Sequence, residues 1–516
     1  MPGTADDALS REAAEAERRY LAARDVVGRL QEALLPTALP VLPWARVAAR
    51  YLVASQDQAA GGDWFDALPL ADGRLALLVG DVVGHGVTAS AAMGQLRAVL
   101  DELLMAEPGL LAVLARAEAF AARTPGLHAA TLALAVLDPG GGRLTYATCG
   151  HPPPLVISAG GTARFLAATG AGPLGTGSPP LLATGTVQPG ELLLLYSDGL
   201  IERPDRTLSQ GMDELASAAA DAVASRAPFT RAAHTAAGRV CQLTVELLTR
   251  TGYADDVTVL AAQRLADPVP VLDQQLPAEI AALHVARDRF DGWLTRADPV
   301  PEDRDALRLA ITEILTNAIE HAYPPARPGP LQIRAALCGD GYLECHVTDH
   351  GAWHRPDLAD DGGGHGLMVA AHVVDQLHVR HPAQAREGRG TEVILRHRLR
   401  HPAVLATEPS TPADRHPPQP PFGIDIDISG SEPVATVRGP VDITTAGRLA
   451  RHLLTACRGG TLPLTVDLSQ VTCLASAGVH VLYQVSAQLT AHQQPLTLRA
   501  SADSGARAVL ELVGLA

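Results

Sequence analysis

Aromatic residues supply only 3% of this 516-residue chain, and its six cysteines form no CxxC pair. The hydrophobic cores must therefore consist mainly of Ala, Val and Leu. The cysteine pattern excludes a disulfide framework and a cysteine-based zinc site, and it is typical of a reducing cytosol. No stretch of about 20 apolar residues is present, so we expect no transmembrane helix.

Basic residues are also in the minority, with 41 Lys and Arg against 56 Asp and Glu, for a formal charge of −15. Because an acidic surface repels phosphate backbones, nucleic acid is not an expected partner. The N-terminal segment is charged and lacks the apolar core of a signal peptide. We therefore expect a cytoplasmic protein that has no membrane as a partner.

A chain of this length divides into several domains. The predicted segments are an N-terminal helix at 1–36, a first domain at 37–265, a second at 272–400, a linker at 401–422 and a third domain at 423–516. The linker has seven prolines in the 21 residues of 402–422, which is typical of an extended segment. The helical spacing over 10–35 fits either a dimerisation helix or a solvated lead-in helix.

Four aspartates of the first domain lie where predicted strands begin or end. They are Asp63 in GGDWFD, Asp81 after LALLVG, Asp198 after LLLLYS and Asp255 before VTVL. Strand ends can direct several side chains to one point, where the carboxylates would repel one another. Divalent cations remove that repulsion, and carboxylate oxygens are the ligands that Mg²⁺ and Mn²⁺ prefer. The pattern therefore predicts a metal site.

These motifs, with GHPPP at 150–154 and GPLG at 172–175, resemble the SpoIIE-like branch of the metal-dependent protein phosphatases, the family of protein phosphatase 2C. The resemblance covers about residues 30–264 and implies a β-sandwich flanked by helices. It also implies two Mn²⁺ or Mg²⁺ ions bound by Asp63, Asp81, Asp198 and Asp255. Asp81 would bridge the ions and the Val82 carbonyl would assist, with Asp256 as the alternative to Asp255.

In such a site a metal-bound water attacks phosphorus, so no protein nucleophile is needed. His85 of VGHG either protonates the leaving serine oxygen or only shapes its turn. Thr148 and Cys149 replace the Asn-Ala that usually precedes GHP in the family, and neither position is a ligand.

The second domain contains a predicted helix over about 302–323. Its apolar stripe is formed by Leu307, Ile311, Ile314, Leu315 and Ala318. Glu313, Asn317 and Glu320 share another face, and Asn is unusual inside a helix. With YLECHVTDHG, GGGHGLMVAAHVVD and GTEVIL, this helix resembles the GHKL ATP-binding fold, particularly the anti-sigma-factor serine kinases, over 275–398.

That resemblance implies ATP with Mg²⁺ as cofactor. Asn317 would hold Mg²⁺, Glu313 would be the general base and Asp349 would bind the adenine amino group. Gly351, Gly364 and Gly366 would line the nucleotide, with Thr391 near the base. DHGAW lacks the usual second glycine, and His365 replaces a common arginine. Nucleotide binding is therefore better supported than turnover.

The third domain resembles STAS domains, the anti-sigma-factor antagonists. Its stretch LTVDLSQVTCLASAGVHVLYQVSAQL predicts a strand, a turn and a helix that begins near Ser476. Ser476 is a phosphoacceptor candidate, and the simpler interpretation is a helix N-cap. The family's Asp before the serine is Ala475 here.

The expected fold class is multidomain α/β: a phosphatase β-sandwich flanked by helices, a GHKL α/β sandwich and a small STAS α/β domain. The implied function is a metal-dependent protein serine/threonine phosphatase that dephosphorylates a phosphoserine STAS antagonist, either a separate protein or its own third domain. Combined with the kinase-like and STAS domains, it would regulate a sigma factor by partner switching.

Two alternatives remain. Degenerate kinase and STAS domains could make the protein a phosphatase with a binding scaffold. A histidine kinase would share the ATP fold, but it needs a phosphoacceptor histidine on a dimerisation helix. The N-terminal helix has none, because the first histidine is His85.

Overall fold

The computed structural model describes the chain from residue 33 to residue 515. The residues not described are 37, 54–60, 85, 108, 203–205, 225–234, 251–252, 254, 325–326, 352–364, 381–389, 407–420, 431, 502–503 and 513–514. The chain divides into two compact units. The first unit runs to Val269 and also includes Gly339–Gly341 and Arg400–Ala413. The second unit begins at Pro270 and contains all the other residues. No helix in the described ranges is long and apolar enough to cross a bilayer. Most of the predicted N-terminal helix lies outside these ranges.

The first unit alternates short strands with helices. Its elements up to Arg264 are β1 Ala38–Pro40, β2 Ala45–Leu52, β3 Trp64–Pro69, β4 Leu75–Asp81, α1 Val87–Ala106, α2 Leu110–Arg123, β5 Thr131–Leu137, β6 Arg143–Cys149, β7 Leu155–Ile157, β8 Ala163–Phe165, β9 Ala183–Thr186, β10 Leu192–Tyr196, α3 Leu208–Val223, α4 Ala236–Leu248 and β11 Val257–Arg264.

The remaining elements begin with β12 Leu272–Pro277, α5 Ile280–Ala297, α6 Pro301–His321, β13 Pro330–Leu337, β14 Tyr342–Asp349, α7 His365–Val373, β15 Gln376–Arg380 and β16 Thr391–Arg398. They continue with β17 Arg400–Pro402, β18 Val404–Ala406, β19 Gly423–Asp427, β20 Val434–Val441, α8 Ile443–Ala456, β21 Leu464–Leu474, α9 Ser476–Ala491, β22 Leu496–Arg499 and α10 Gly505–Leu512.

Two sheets form a sandwich in the first unit. As far as the structure describes them, their strand orders are β3-β4-β5-β6-β9 and β18-β2-β11-β10-β7-β8. Strands β5 and β10 are almost completely buried, which explains their continuous apolar sequences. Leu132 of β5 and Leu195 of β10 belong to one apolar cluster between the sheets, while α3 and α4 cover the outer face of the second sheet. The predicted β-sandwich flanked by helices is confirmed.

The start of the predicted linker was assigned wrongly. β17 pairs with β1, and β18 pairs in parallel with β2, so residues 400–406 belong to the first unit. Hydrogen bonds to the edge of β2 give Val404 and Leu405 an ordered position that a count of prolines cannot reveal.

The second unit contains two further sheets. In the described residues one has the antiparallel order β12-β13-β14-β16-β15, and α6 packs beside it. Helix α6 agrees with its prediction to within two residues, and its stripe is buried except that Ala318 is half-buried. The other sheet has the order β19-β20-β21-β22, with β20, β21 and β22 parallel. α8, α9 and α10 enclose its core.

Helix α2 offers a matched test of the packing in the first unit. Leu114 is fully buried, whereas Leu111 on the same helix is 51% exposed. We expect Leu114→Ala to lower the free energy of unfolding by about 2–5 kcal/mol, because it leaves a cavity. Leu111→Ala should change it by about 0.5 kcal/mol or less. Calorimetric unfolding of the full chain measures both, and equal effects would contradict the assigned packing.

Candidate active sites

The predicted metal-binding aspartates come from both sheets of the sandwich. Asp63 directly precedes β3 and Asp81 ends β4, so both belong to the first sheet. Asp198 follows β10 by two residues, and Asp255 and Asp256 directly precede β11 in the second sheet. The site is thus assembled from two halves that are far apart in sequence.

These carboxylates interact electrostatically. Burial raises the pKa of Asp63 well above its usual range, and the charges of Asp81 and Asp256 raise it further. Burial, followed by the charges of Asp198, Asp255 and Asp256, raises the pKa of Asp81 to about 7. Burial also raises the pKa of Asp198, with Glu202 and Asp255 adding to the effect. Nearby positive charge would relieve this repulsion.

Neutral donors hold two of the carboxylates. The Thr258 hydroxyl donates to Asp63 Oδ2 at 3.0 Å, and the Tyr51 hydroxyl donates to Asp256 Oδ2 at 3.2 Å. Asp256 is 3% exposed, whereas Asp255 is exposed and accepts a bond from the Asp256 amide at 2.8 Å. Asp256 therefore belongs to the buried cluster, which its sequence position alone did not reveal.

The glycines of GGD allow the segment before β3 to lie close to the segment that follows β4. A methyl group on Gly62 would lie 2.1 Å from the Val82 carbonyl oxygen, so only glycine leaves that oxygen accessible. The Ser90 hydroxyl of α1 donates to the Gly61 carbonyl at 2.9 Å and holds this turn. His85, the candidate proton donor, lies outside the described residues.

The donor set fits hard divalent ions, since it consists of carboxylate oxygens and one backbone carbonyl. Within the described residues, however, no group of three or more acidic, His or Cys side chains forms a preassembled metal cluster. Ion binding would therefore require the carboxylates to reorient, and the relief of their mutual repulsion by the cations would favour it.

The second unit brings several predicted nucleotide residues together around α6. Glu313 is 1% exposed, and Asn317 lies one turn further along the helix. A methyl group on Gly366 of α7 would come within 2.6 Å of Glu313 Oε2 and 3.1 Å of Asn317 Nδ2. Glu320, by contrast, is exposed, so it does not share the buried environment of Glu313.

Asp349 and Thr391 are paired across β14 and β16 and are both 6% exposed. The Gly351 amide donates to Asp349 Oδ1 at 2.9 Å. Two buried polar atoms, Asn317 Nδ2 and Thr391 Oγ1, have no hydrogen-bond partner among the residues that the structure describes. Such atoms are usually satisfied, so they fit a missing polar ligand such as a nucleotide with its cation. Gly364 lies outside the described residues.

Helix α9 begins at Ser476, as predicted, after the N-cap residue Ala475. The N-cap interpretation of Ser476 is therefore wrong, because the serine occupies the first helical position and Ala475 offers no capping side chain. The described features of Ser476 are limited to its backbone.

The C-terminal domain packs on α6, the helix that carries Glu313, and on α7. Leu309 of α6 and Val369 of α7 join its apolar core. Arg287 of α5 forms an ion pair with Asp442, which is 1% exposed at the side chain and caps α8. Sequence reasoning missed this pair, although Asp-Ile-Thr-Thr is a capping signal.

Charges on both domains act on Cys473, three residues before Ser476. Burial raises the pKa of Cys473 to about 12; the charge of Arg287 lowers it and that of Glu313 raises it. The charge of Glu313 on α6 therefore reaches the Cys473 thiol of the STAS-like domain.

Comparison with known proteins agrees with this architecture. Residues 71–265 match the Stage II sporulation protein E (SpoIIE) family, 276–397 the histidine kinase-like ATPase domain and 424–516 the Mlab, STAS domain family. The crystal structure of the RsbU and RsbW domains of Rv1364c from Mycobacterium tuberculosis is 40% identical, with a TM-score of 0.64. That match covers 73% of this chain and 98% of the other. The chain belongs to this RsbU–RsbW family.

Two sequence relatives match parts of this RsbU–RsbW chain. Serine-protein kinase RsbW of Bacillus velezensis is 28% identical over 113 residues, which is 22% of this chain and 69% of that protein. Protein IcfG of Synechocystis sp. is 28% identical over 203 residues, covering 34% of this chain and 32% of IcfG. The chain thus spans about a third of the length of IcfG. It combines a SpoIIE-type phosphatase domain, an RsbW-like domain and a STAS domain.

The raised pKa of Asp81 predicts a pH dependence of stability for the metal-free protein. An unfolded aspartate has a pKa of about 3.9, whereas folded Asp81 takes up its proton near pH 7. Between these pH values Asp81 binds a proton only in the folded state. Its contribution to the free energy of unfolding therefore rises as the pH falls. We expect wild type to gain more stability than Asp81→Asn between about pH 8 and about pH 5.5.

Calorimetry of the full chain in EDTA measures this difference. Subtracting the variant removes the contributions of other groups, such as His151, whose pKa burial lowers to about 4, giving the opposite slope. Identical pH profiles of the two proteins would contradict the prediction.

Proposed function

We propose that the first unit is a Mn²⁺- or Mg²⁺-dependent phosphatase for phosphoserine on a STAS antagonist of a sigma-factor regulatory system. The observation that carries the proposal is the group of mutually repelling carboxylates contributed by both sheets. The similarity to the RsbU and RsbW domains supports the reaction class and the type of substrate.

In this proposal Asp63, Asp81 and Asp198 hold the ions, with the Val82 carbonyl as a further ligand and Asp255 or Asp256 completing the set. Bound divalent ions would supply an acidified water and offset charge on the phosphoryl oxygens. Thr258 orients Asp63, and Tyr51 orients Asp256, through the hydrogen bonds described above. No side chain has to form a covalent intermediate.

Removing one of these carboxylates tests the metal site. We expect Asp81→Asn and Asp198→Asn to lower phosphatase activity on a phosphorylated STAS protein by several powers of ten, because the ions lose a ligand. EDTA should do the same to wild type. Asp213→Asn, an exposed aspartate on α3, is the matched control and should keep full activity.

Mn²⁺ should also raise the unfolding temperature of wild type and Asp213→Asn, but not that of Asp81→Asn. Full activity of wild type in EDTA, or of Asp81→Asn with Mn²⁺, would contradict the metal assignment.

We further propose that the RsbW-like domain binds ATP with Mg²⁺ and transfers phosphate to Ser476 of the same chain. Asn317 would hold Mg²⁺ and Glu313 would accept the serine proton, with Asp349, Gly351, Gly364, Gly366 and Thr391 around the nucleotide. The buried Asn317 Nδ2 and Thr391 Oγ1 atoms find no hydrogen-bond partner in the described part of the chain, which supports a ligand here. The packing of the STAS core on Leu309 and Val369 supports transfer within one chain.

The transfer is tested in a chain whose phosphatase is inactivated by Asp81→Asn. Incubated with ATP and Mg²⁺, this protein should gain phosphate on Ser476, located by peptide mass spectrometry. Adding Asn317→Ala should abolish nucleotide binding and phosphate. Adding Glu313→Ala should preserve binding and abolish phosphate, whereas Glu320→Gln on the same helix should change neither. An unmodified Ser476, under conditions where a separate STAS protein is phosphorylated, would contradict transfer within the chain.

The second candidate function is a scaffold with an active phosphatase and kinase-like and STAS domains that only bind partners. Ala475 in place of the family's Asp, and His365 in place of Arg, favour it. Absence of nucleotide binding in calorimetry of the full chain would favour the scaffold over the kinase.

A further inference from the structure

His151 of the GHPPP motif lies between the two sheets of the phosphatase domain. It follows β6 by two residues and is 5% exposed. Its Nδ1 lies 2.7 Å from the Thr131 hydroxyl at the start of β5 in the first sheet. Its Nε2 lies 3.1 Å from the Tyr196 carbonyl oxygen at the end of β10 in the second sheet. One imidazole therefore bridges both sheets.

The partners determine the tautomer of this ring. The Tyr196 carbonyl can only accept, so His151 Nε2 carries the hydrogen and donates it. Nδ1 is then the acceptor and receives the Thr131 hydroxyl hydrogen. Both ring nitrogens are satisfied in the neutral state. Burial favours that state by lowering the pKa of His151 to about 4, which the Tyr196 hydrogen bond only partly opposes.

Both anchor points adjoin predicted metal ligands. Thr131 is the direct cross-strand partner of Asp81 in the β4–β5 register. Tyr196 is separated from Asp198 by one residue, Ser197. The path from Asp81 through Thr131, His151 and Tyr196 to Asp198 thus links the half of the site on the first sheet with the half on the second.

Apolar packing alone does not fix the distance between the two sheets closely. The side chains between the sheets, including Leu132 and Leu195, make contacts whose energy depends on buried area and has no preferred direction. Hydrogen bonds weaken steeply outside a narrow range of lengths and angles. A ring with two opposed hydrogen bonds therefore constrains the spacing of β5 and β10 where metal ligands must meet.

We propose that His151 is a positioning residue for the metal site, an inter-sheet bridge that keeps the strand ends of Asp81 and Asp198 at the spacing from which their side chains can bind divalent ions. This inference rests on the proposed phosphatase function. The opposing interpretation is a histidine that is merely satisfied in the core and contributes only to stability. The two differ in what they predict for metal affinity.

Three substitutions and one control test the bridge. His151→Phe removes both hydrogen bonds and keeps a ring, Thr131→Val removes one bond, and His151→Gln retains an acceptor and a donor. Thr148→Val is the matched control: Thr148 is 2% exposed in the same sheet, and its hydroxyl pairs with Thr169 rather than across the sandwich.

Mn²⁺ affinity of the metal-stripped full chain is measured by calorimetry, and unfolding temperature in EDTA is recorded in parallel. We expect His151→Phe and Thr131→Val to weaken Mn²⁺ binding by about 10- to 100-fold, as loss of supporting contacts around metal ligands does. His151→Gln should restore part of the affinity. Thr148→Val should lower the unfolding temperature without changing affinity.

A Mn²⁺ affinity of Thr131→Val equal to that of Thr148→Val would overturn the proposal. If His151→Phe does not fold, Thr131→Val decides the question. Nitrogen NMR of wild type gives a second readout: the Nε2–H tautomer is required, and a protonated Nδ1 would refute the bridge. If wild type itself binds no Mn²⁺, the proposed phosphatase site fails and this inference fails with it. If wild type binds Mn²⁺, Asp81→Asn does not, and the His151 variants bind like wild type, only the bridge fails.

Discussion

Mutual repulsion among buried and half-buried carboxylates is the constraint on which the phosphatase domain depends. Asp63, Asp81 and Asp198 are drawn from two different sheets, and burial makes their ionised forms costly. The fold must bring the strand ends that carry these groups near one another before any cation arrives. Uncharged donors orient two carboxylates without introducing a competing positive charge, Thr258 at Asp63 and Tyr51 at Asp256, and the sandwich supplies the rigid strand ends.

The RsbW-like and STAS domains pack together by a different principle. Their contact combines apolar residues such as Leu309 with an ion pair between Arg287 and the buried Asp442. Apolar contacts stabilise the docked domains without a preferred direction. A buried ion pair, by contrast, is favourable only when its partners have the right geometry. The pair therefore favours one docking position, in which the charge of Glu313 acts on Cys473, three residues before α9 begins.

Under the proposed function, opposing activities on phosphoserine reside on one chain. The kinase-like domain would then add phosphate to Ser476 and the phosphatase would remove it. The phosphorylated fraction would depend on which site the STAS domain occupies. A docked STAS domain also covers surface on α6 and α7. The ion pair between Arg287 and Asp442 would thus influence access of separate antagonists to the RsbW-like domain.

The sequence by itself determined helix α6 and the start of α9 at Ser476, because these depend on local periodicity and turn residues. The domain order and the phosphatase sandwich followed from the resemblance of its motifs to known families. It also indicated that Asp63, Asp81, Asp198 and Asp255 lie at strand ends. Only the tertiary structure revealed the burial of Asp256, the return of residues 400–406 to the first unit, the ion pair between Arg287 and Asp442 and the bridge through His151. Each of these depends on partners distant in sequence, and one chain read by itself contains no signal for which distant residues will meet.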